Sequence, residues 1–545
     1  MNKVAHYLQE HLVGEVMTGT EARRYFATDG SILTLAPSMI VYPQNENDVR
    51  KTARFTWQLA ERGRVIPITA RGSGTDQGGA AIGSGIMMVF PAHMHHLIDL
   101  DSKTGSIVVE PGINYGKLQQ TLHSHGRFLP PFPASMEYST IGGAIANNAG
   151  GEKSVKYGST RDYVKQLKVV LANGEVIETR RLSKRELSKK LGVATFEGEV
   201  YRSLDTLIEE NKQLISELGI NTSKNSAGYD LAAVKRKDGS FDLTPLFVGS
   251  QGTLGIVTEA QLKTELYNQH TTLIAAQFDD LQVAEEVVLE LRKMSESPSA
   301  IEAVDGNLLD VVQRQNPNLL QAIIRPPFPK LLLLIEFDDF NERQQKRLAK
   351  KVSKLLNKYQ VKHQLETDPV KQTPLWKVRR SAAVVSASSD SAARAVPIIE
   401  DGIVPIDKLK AYIEGIEEIF ARSHLQVALW GHAGDGNLHA QPFLDLSQVG
   451  DRQKAFRLLD EYNKLVIELG GSTTGEHGDG RIRGPYLEKL YGPEAYALFG
   501  KLKQIFDPYG TMNGGVKMGV SLEDVKPLVR QEYNLRHLSD HLPTS

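Results

Sequence analysis

Residues 140–151 restrict the fold of this chain more than any other stretch, because nearly every one of them is small or an amide (TIGGAIANNAGG). Such a segment builds little hydrophobic core of its own. It suits a close approach of the backbone to a large flat ligand, with amides and hydroxyls as hydrogen-bond partners. The run therefore predicts a ligand-binding segment, which is closed by Tyr157, Gly158 and the serine after them.

Two further runs of small residues lie before and after it, RGSGTDQGG at 71–79 and GSQGTLGIVTE at 249–259. The first follows an apolar stretch at 65–69 that reads as a strand, and such a loop can present successive N–H groups to a phosphate. Its spacing differs from a dinucleotide-binding Rossmann fingerprint, and the apolar residues after it predict another strand where that fingerprint needs a helix. A phosphate-binding loop and a plain turn between strands remain the alternatives.

Three histidines and a glutamate lie among glycines in two short runs of the C-terminal half, GHAGDGNLH at 431–439 and GEHGDG at 475–480. Glycine lets a ligand approach the backbone closely. Imidazole and carboxylate together suit zinc and similar divalent metals. The sequence thus predicts a metal-assisted site between residues 432 and 477, with ordinary loop histidines as the alternative.

The composition excludes several classes of protein. None of the 545 residues is cysteine, which rules out disulfides, iron–sulfur clusters and thiolate catalysis within this chain. The net charge of −1 predicts no binding of nucleic acid. The first residues lack the apolar core of a signal peptide, and no run approaches the ~18 apolar residues of a transmembrane helix. We expect a cytoplasmic protein, with peripheral attachment to a membrane as an alternative.

Local patterns predict the elements around these runs. Residues 181–245 are charged, partly helical and look like an insertion, after which residues 245–248 resume a strand. The tail has the apolar spacing of an amphipathic helix from 525 to 541. The other expected elements are strands at 33–45, 106–112, 331–337 and 426–430, helices at 46–63 and 115–125, and a hairpin at 165–180 with Asn173 and Gly174 at its turn.

Six blocks in this order carry a resemblance to a known family: RGSGT, TIGGAIANNAGG with KYGS, GSQGTLGIVTE, GHAGDGNLH, GEHGDGR and FDPYGTMN. The chain resembles FAD-linked oxidoreductases of the vanillyl-alcohol oxidase / p-cresol methylhydroxylase (PCMH) type, and more closely the D-lactate, glycolate and D-2-hydroxyglutarate dehydrogenases. The resemblance spans residues 42–518. It implies an α+β fold, with a two-lobed PCMH-type FAD-binding domain and a substrate domain with an antiparallel sheet and helices.

The resemblance also implies domain boundaries. These are an N-terminal helical segment at 1–32, the FAD-binding domain at 33–268 with its insertion at about 181–245, the substrate and metal domain at 269–500, a return to the flavin at 501–525 and a C-terminal tail at 526–545.

The same resemblance implies which residues bind FAD. The RGSGT loop would hold the pyrophosphate through backbone N–H groups. Some relatives bond the flavin covalently to a histidine where this chain has Thr75, so we expect non-covalent FAD. The implied cofactor-binding residues are Arg71, Gly72, Ser73, Gly74, Thr75, Asp76, Gly78, Gly79, Pro133, Ser135, Met136, Thr140, Gly142, Gly143, Asn147, Gly150, Gly151, Tyr157, Gly158, Gly252, Ile256, Val257 and Asn513.

For the chemistry, the resemblance implies a metal, a base and a carboxylate clamp. His432, His439 and Glu476 match the family's metal ligands, with zinc expected and manganese or iron as alternatives. His477 matches its general base, although two adjacent residues face one site only if the glycines beside them bend the chain. Arg379 matches the arginine of the family's Trp-x-x-Arg and would bind the substrate carboxylate at two points. A basic surface helix is the alternative for Arg379.

Three positions differ from the 2-hydroxyglutarate enzymes. Where those enzymes have a threonine, a lysine and an asparagine near the second carboxylate, this chain has Ala383, Ile399 and Gln441. Two polar contacts replaced by apolar residues favour a monocarboxylate such as D-lactate, or a longer and more apolar 2-hydroxy acid.

The leading hypothesis is therefore FAD- and metal-dependent oxidation of a D-lactate-like D-2-hydroxy acid to the 2-oxo acid, with hydride transfer to flavin N5. The electrons would leave to a separate acceptor: an iron–sulfur partner, as in longer bacterial fusions of this module, a quinone, an electron-transfer flavoprotein or oxygen. The other hypotheses are a flavin oxidase or synthase of another alcohol, a flavin-free metallohydrolase and a non-catalytic flavoprotein subunit. A homodimer is left open.

Overall fold

The computed structural model describes residues 2–315, 317–320, 324–387 and 393–539. Four short strands form the first sheet in the order β1-β2-β4-β3, with β1 antiparallel to β2 and the other pairs parallel. The predicted phosphate loop leaves the end of β3, and the next element is β4, as expected from the spacing. The strands are β1 (Glu15–Met17), β2 (Met39–Tyr42), β3 (Ile68–Arg71) and β4 (Ile86–Val89).

The second sheet is antiparallel, with five strands in the order β5-β6-β10-β8-β9. The hairpin predicted at 165–180 is confirmed as β8 and β9. A separate two-stranded ribbon pairs β7 with β11. The strands are β5 (Leu97–Asp101), β6 (Ser106–Val109), β7 (Arg127–Phe128), β8 (Val164–Val170), β9 (Val176–Thr179), β10 (Ile256–Lys263) and β11 (Glu265–Leu266).

The third sheet has eight strands, in the order β15-β12-β14-β13-β18-β19-β16 with β17 also pairing with β19. Helices cover both faces, so every residue of the apolar strand β14 is buried. The strands are β12 (Thr272–Phe278), β13 (Ala300–Asp305), β14 (Leu331–Phe337), β15 (Lys362–Glu366), β16 (Arg394–Ala395), β17 (Ile399–Ile403), β18 (Val427–His432) and β19 (Asn437–Leu444).

Most predicted helices are confirmed in type. The helix predicted at 46–63 spans Glu46–Glu61, and Asn45 caps it by accepting a hydrogen bond from the N–H of Asp48. The helices of seven or more residues are Asn2–His11, Glu46–Glu61, Tyr115–Ser124, Ile141–Asn147, Lys184–Leu191, Phe196–Glu210, Leu281–Arg292, Gly306–Gln315, Glu342–Lys358, Pro369–Ala387, Leu409–Arg422, Val449–Glu468 and Pro493–Phe506. None of the helices in the described ranges is both long enough and apolar enough to cross a membrane.

Two sequence-based predictions are wrong. Residues 245–248 do not resume a strand, because Thr244–Phe247 is a short helix with Pro245 in its first turn, a position that suits proline. The tail is not one helix from 525 to 541. It is interrupted after Val525, beside Pro527, and continues as a 3₁₀ turn and a short helix, Arg536–Ser539.

The C-terminal part of the chain returns to the first half of the molecule. The helix Pro493–Phe506 buries Leu498, Phe499 and Phe506 in the core of the second sheet. Further on, the N–H of Arg530 donates to the carbonyl of Ile32. The C-terminal part of the chain thus contacts both the core of the second sheet and the segment between β1 and β2.

Candidate active site

A cavity of about 970 Å³ lies where the loops of the first two sheets face the third sheet. Most of the predicted cofactor-binding residues line it: Arg71, Gly72, Ser73, Gly74, Thr75, Asp76, Pro133, Ser135, Thr140, Gly142, Gly143, Asn147, Gly150, Gly252, Ile256 and Val257. The remaining seven stand outside its lining: Gly78, Gly79, Met136, Gly151, Tyr157, Gly158 and Asn513. The cofactor role of all of them stays a prediction.

Arg71 places a buried positive charge in this wall of the cavity. Its side chain is 1% exposed and donates from Nη1 to the carbonyl of Ala81 at 3.0 Å. Within the described part of the chain, Nε and Nη2 of Arg71 have no hydrogen-bond partner. Burial lowers the pKa of Arg71, an effect that Asp29 opposes. A buried guanidinium with two unpartnered nitrogens fits an anionic group such as a cofactor phosphate.

The glycines beside Arg71 fit a cradle that has no room for side chains. A Cβ on Gly72 would stand 2.2 Å from Oγ1 of Thr140. Gly74 has a φ of +78°, and its Cβ would stand 2.2 Å from Nη2 of Arg71. Both positions therefore require glycine, because a larger residue would have to displace a buried side chain.

Two residues outside the lining hold the walls together. Asn513 donates from Nδ2 to the carbonyl oxygens of Gln251, at 2.7 Å, and of Ala80, at 2.9 Å. The hydroxyl of Tyr157 donates to Asp338 at 3.0 Å, so it ties the 140–158 segment to the third sheet. These two side chains thus connect the segments that form the cavity walls, although neither lines the cavity.

The three predicted metal ligands come together on the third-sheet side of the cavity. Nε2 of His432 is 2.9 Å from Oε1 of Glu476, and Nε2 of His439 is 3.5 Å from the same oxygen. The three ligand atoms lie within 4.8 Å of one another, and all three residues are buried. Two imidazoles and a carboxylate fit a divalent cation such as zinc, manganese or iron.

The charges around this cluster favour a cation. Although burial lowers the pKa of His432, Glu302 and Glu476 outweigh it and raise the pKa to about 9. Burial opposes ionisation of Glu476, yet His432 and the contacting ammonium of Lys224 hold its pKa well below the usual range. Burial lowers the pKa of His439, so its ring can offer a lone pair. The same negative carboxylates that favour a proton on His432 would also attract a metal cation.

Glu302 connects the cluster to the predicted substrate clamp. Oε1 of Glu302 is 2.8 Å from Nδ1 of His432, and Oε2 accepts from Nε and Nη2 of Arg379, each at 2.7 Å. Arg379 is 2% exposed, which excludes the surface-helix alternative for it. One guanidinium edge is used by Glu302. Among the described residues, only Glu302 pairs with this guanidinium, so the other edge, Nη1 with the second N–H of Nη2, can bind a carboxylate in the cavity that Arg379 lines.

His477 faces the same site as Glu476, although the two residues are adjacent, because the backbone bends at the glycines that follow them. Gly478 and Gly480 have φ of +76° and +56°. The carboxylate of Asp401 accepts from both backbone N–H groups, of Glu476 at 3.2 Å and of His477 at 2.7 Å. Nε2 of His477 consequently lies 3.8 Å from Oε1 of Glu476.

Glu400 orients the His477 ring. Its Oε1 is 2.7 Å from Nδ1 of His477 and also accepts from Nη1 of Arg483 at 3.3 Å. Burial lowers the pKa of His477, but Glu400 and Asp401 outweigh it and raise the pKa to about 10. The ring stacks on His439 at 5.0 Å with an interplanar angle of 6°. Nε2 of His477 is thus the nitrogen presented to the cavity.

Sequence reasoning missed several residues of this site. Glu302 and Glu400 are carboxylates inside otherwise mostly apolar buried strands, AIEAVD and IEDGI, and this pattern was the available signal. Lys224 lies in the segment taken for an insertion. Arg394 and the tail residue Tyr533 also line the cavity, and nothing in their local sequence indicates it.

The positions used to infer a monocarboxylate are only partly informative. Gln441 lines the cavity, but Ile399 is fully buried in the core behind the third sheet and stands outside the lining. The side chain of Ala383 falls outside the described residues. The side-chain preference of the substrate pocket therefore stays a proposal.

Comparison with known proteins agrees with this architecture. Residues 37–180 match the family described as FAD binding domain, and residues 267–516 match FAD linked oxidases, C-terminal domain. The chain is 30% identical to glycolate oxidase subunit GlcD of Bacillus subtilis, over 88% of each chain. It is 28% identical to D-2-hydroxyglutarate dehydrogenase of Haemophilus influenzae, over 93% of this chain but 50% of that protein. The chain thus spans about half the length of that relative.

Among solved structures, p-cresol methylhydroxylase with substrate bound superposes with a TM-score of 0.66 at 14% identity, covering 96% of this chain and 97% of that one. The fold is of the PCMH type, with the α+β architecture predicted from the sequence, and residues 37–180 match an FAD binding domain within it. The chain belongs to the FAD-linked oxidase family that includes GlcD.

Proposed function

We propose that this chain oxidises a D-2-hydroxy acid to the 2-oxo acid, with FAD in the cavity and a divalent cation at His432, His439 and Glu476. The observation that carries the proposal is the convergence of this cluster, the Glu400–His477 pair and Arg379 on one cavity. FAD held in the cavity would supply a hydride acceptor, and a cation held by His432, His439 and Glu476 would supply Lewis acidity.

The residues of the chain then have distinct roles. The free edge of Arg379 binds the substrate carboxylate and sets the orientation of C2. Nε2 of His477 takes the proton of the C2 hydroxyl as the C2 hydride leaves, and Glu400 holds the ring and stabilises the resulting imidazolium. At a pKa of about 10 the ring would already be protonated at neutral pH. A cation held by the adjacent cluster would lower that pKa, which would make the neutral form of His477 available as the base.

A D-lactate-like acid, which has a small side chain, is our first candidate for the substrate. A second candidate is a dicarboxylic 2-hydroxy acid, which one observation favours: the cation Arg394 lines the cavity in addition to Arg379. The electrons leave to a separate acceptor.

Non-covalent FAD is part of the proposal, since Thr75 stands at the position where some relatives link the flavin. Acid precipitation of the protein should therefore leave all flavin in the supernatant. Flavin that stays in the pellet would refute non-covalent binding.

Two single substitutions separate the cation from the base. We expect His432→Ala to lose both bound metal and flavin reduction. His477→Ala should keep metal and FAD but reduce flavin at least 100-fold more slowly, as expected for loss of a general base. Elemental analysis and anaerobic stopped-flow absorbance measure the two effects. Substrate-driven flavin reduction at the wild-type rate in both variants would end this mechanism.

A further inference from the structure

The helix Glu342–Lys358 carries an unusual concentration of positive charge on its exposed side. Seven of its residues are basic and exposed, and each of them lies three or four positions from another, which places them on one face. This set, the basic stripe, consists of Arg343, Lys346, Arg347, Lys350, Lys351, Lys354 and Lys358. It extends about 22 Å along the helix.

The charge of the stripe is mostly uncompensated. Lys346 lies 3.7 Å from Glu342 and Arg347 lies 2.9 Å from Glu296. Among the residues that the structure describes, the other five have no carboxylate oxygen within 4.0 Å. The whole chain has 64 basic and 65 acidic residues, so the stripe is a local excess on a nearly neutral protein. A local excess of this size attracts a surface of opposite charge.

The position of the stripe argues against a role in catalysis or in direct electron transfer. The helix packs on β12 and β15, at one end of the third sheet, whereas the two histidines of the metal cluster, His432 and His439, lie on β18 and β19. From β12 to β19 there are four strand spacings, about 19 Å. No residue of the helix lines the active-site cavity. A redox partner seated on the stripe would be far from the active-site cavity.

The shape and surroundings of the stripe favour a lipid surface over an acidic protein. The stripe is the exposed face of a single helix, Glu342–Lys358, and all seven of its basic side chains are exposed. Phe340, 61% exposed, stands just before the helix cap Asn341, so an aromatic ring flanks the charges. Basic residues on one helix face with a flanking aromatic residue are typical of proteins that lie on anionic membranes.

We propose that the basic stripe docks this protein onto an anionic membrane surface. The docking is electrostatic, since each Lys or Arg near such a membrane strengthens binding about fivefold. The attraction is lost at about 1 M salt, where charges are screened within about 3 Å. The proposal does not depend on the substrate or on turnover.

Vesicle sedimentation tests the proposal with the FAD-loaded protein. We expect it to pellet with phosphatidylcholine vesicles that contain 30% phosphatidylglycerol, to remain in solution with pure phosphatidylcholine, and to be released by 1 M NaCl. The variant Lys350→Gln, Lys351→Gln, Lys354→Gln, Lys358→Gln should bind at least about 100-fold more weakly, and glutamine preserves the helix. Circular dichroism and FAD content verify its fold.

A matched control removes four scattered exposed charges, with Lys103→Gln, Lys189→Gln, Lys237→Gln and Lys501→Gln. Its net charge equals that of the stripe variant, so retained binding assigns the effect to the stripe. An equal loss in both variants would overturn the proposal, as would wild-type protein that ignores the anionic vesicles. Stripe-dependent retention on a polyglutamate resin without vesicle binding would assign the stripe to an acidic protein instead.

Discussion

At the scale of single residues, Glu302 determines how the two halves of the proposed site are coupled. Its two carboxylate oxygens bind different partners, the ring of His432 and the guanidinium of Arg379. Glu302 is 1% exposed, so water does not compete for either oxygen. A carboxylate that orients a metal-binding imidazole also strengthens that ligand. Glu302 is therefore a positioning residue for cation and substrate alike.

We predict that Glu302→Gln weakens both sites with little change in overall fold. Metal affinity should fall about 10- to 100-fold, and KM should rise because Arg379 loses its ionic partner. Metal titration and steady-state kinetics at saturating metal separate the two effects. A rise in KM that persists at saturating metal supports the link to Arg379. A variant with wild-type metal affinity and KM would show that Glu302 has no positioning role.

Asp305 provides a pH-dependent prediction away from the site. Burial raises the pKa of its carboxyl to about 7, although the N–H of Leu308 donates to it at 2.8 Å. The unfolded chain loses this proton at lower pH than the folded chain, so stability from this group falls as pH rises from about 4 to about 7. Asp305→Asn keeps the hydrogen bond and cannot ionise. We expect the free energy of unfolding of Asp305→Asn, measured with urea and taken relative to the wild type, to rise by up to about 4 kcal/mol between pH 4 and pH 7.5. An equal difference at both pH values would contradict this assignment.

At the scale of elements, the glycine-rich runs at 71–79, 140–151 and 249–259 supply a large part of the cavity wall. Their backbone shapes differ in what they require: Gly74 combines positive φ with a crowded Cβ position, whereas Gly63 has φ of +80° and nothing within 4 Å of a Cβ. Substitution of Gly63 would therefore cause backbone strain alone, whereas substitution of Gly74 would cause the same strain and also place a methyl group in the cradle. Strain alone costs about 1–2 kcal/mol for an L-residue.

We predict that Gly74→Ala lowers FAD affinity at least 10-fold, because its methyl group would displace the Arg71 guanidinium. Gly63→Ala is the matched control and should lose only the strain energy while it binds FAD normally. Flavin fluorescence titration of the two apoproteins measures the affinities, and thermal melts measure the strain. Equal FAD affinity in both variants would show that Arg71 and Gly74 do not contact the cofactor.

Elements were predictable where apolar spacing was clear, and less so where small residues dominate. The helix Glu46–Glu61 and strand β14 follow from their patterns. In the run 140–151 the spacing of Ile141, Ala144 and Ile145 suits a helix face, and Ile141–Asn147 is helical there. The tail departs from its helical pattern because Pro527 interrupts it and Arg530 is anchored to the carbonyl of Ser31. Tertiary contacts of this kind have no local signal.

At the scale of the whole molecule, the cavity depends on contacts between the flavin-binding lobes and the third sheet. Lys153 pairs with Glu336 and Glu152 accepts two hydrogen bonds from Arg380, each at 2.8 Å. The family, the α+β fold and the three metal-ligand candidates could be predicted because glycine-separated blocks stay recognisable in sequence. Glu302, Glu400 and Lys224 could not, since they reach the site only through strand register and long-range packing.

The measurement that tests the central claim most directly is the visible spectrum of FAD- and metal-loaded protein under anaerobic conditions, before and after D-lactate is added. We predict a flavin spectrum that bleaches with D-lactate, or with D-2-hydroxyglutarate if Arg394 selects a second carboxylate, and that L-lactate leaves unchanged. A flavin that no D-2-hydroxy acid reduces would contradict the proposed reaction. A protein that fails to take up FAD at all would contradict the assignment of the cavity itself.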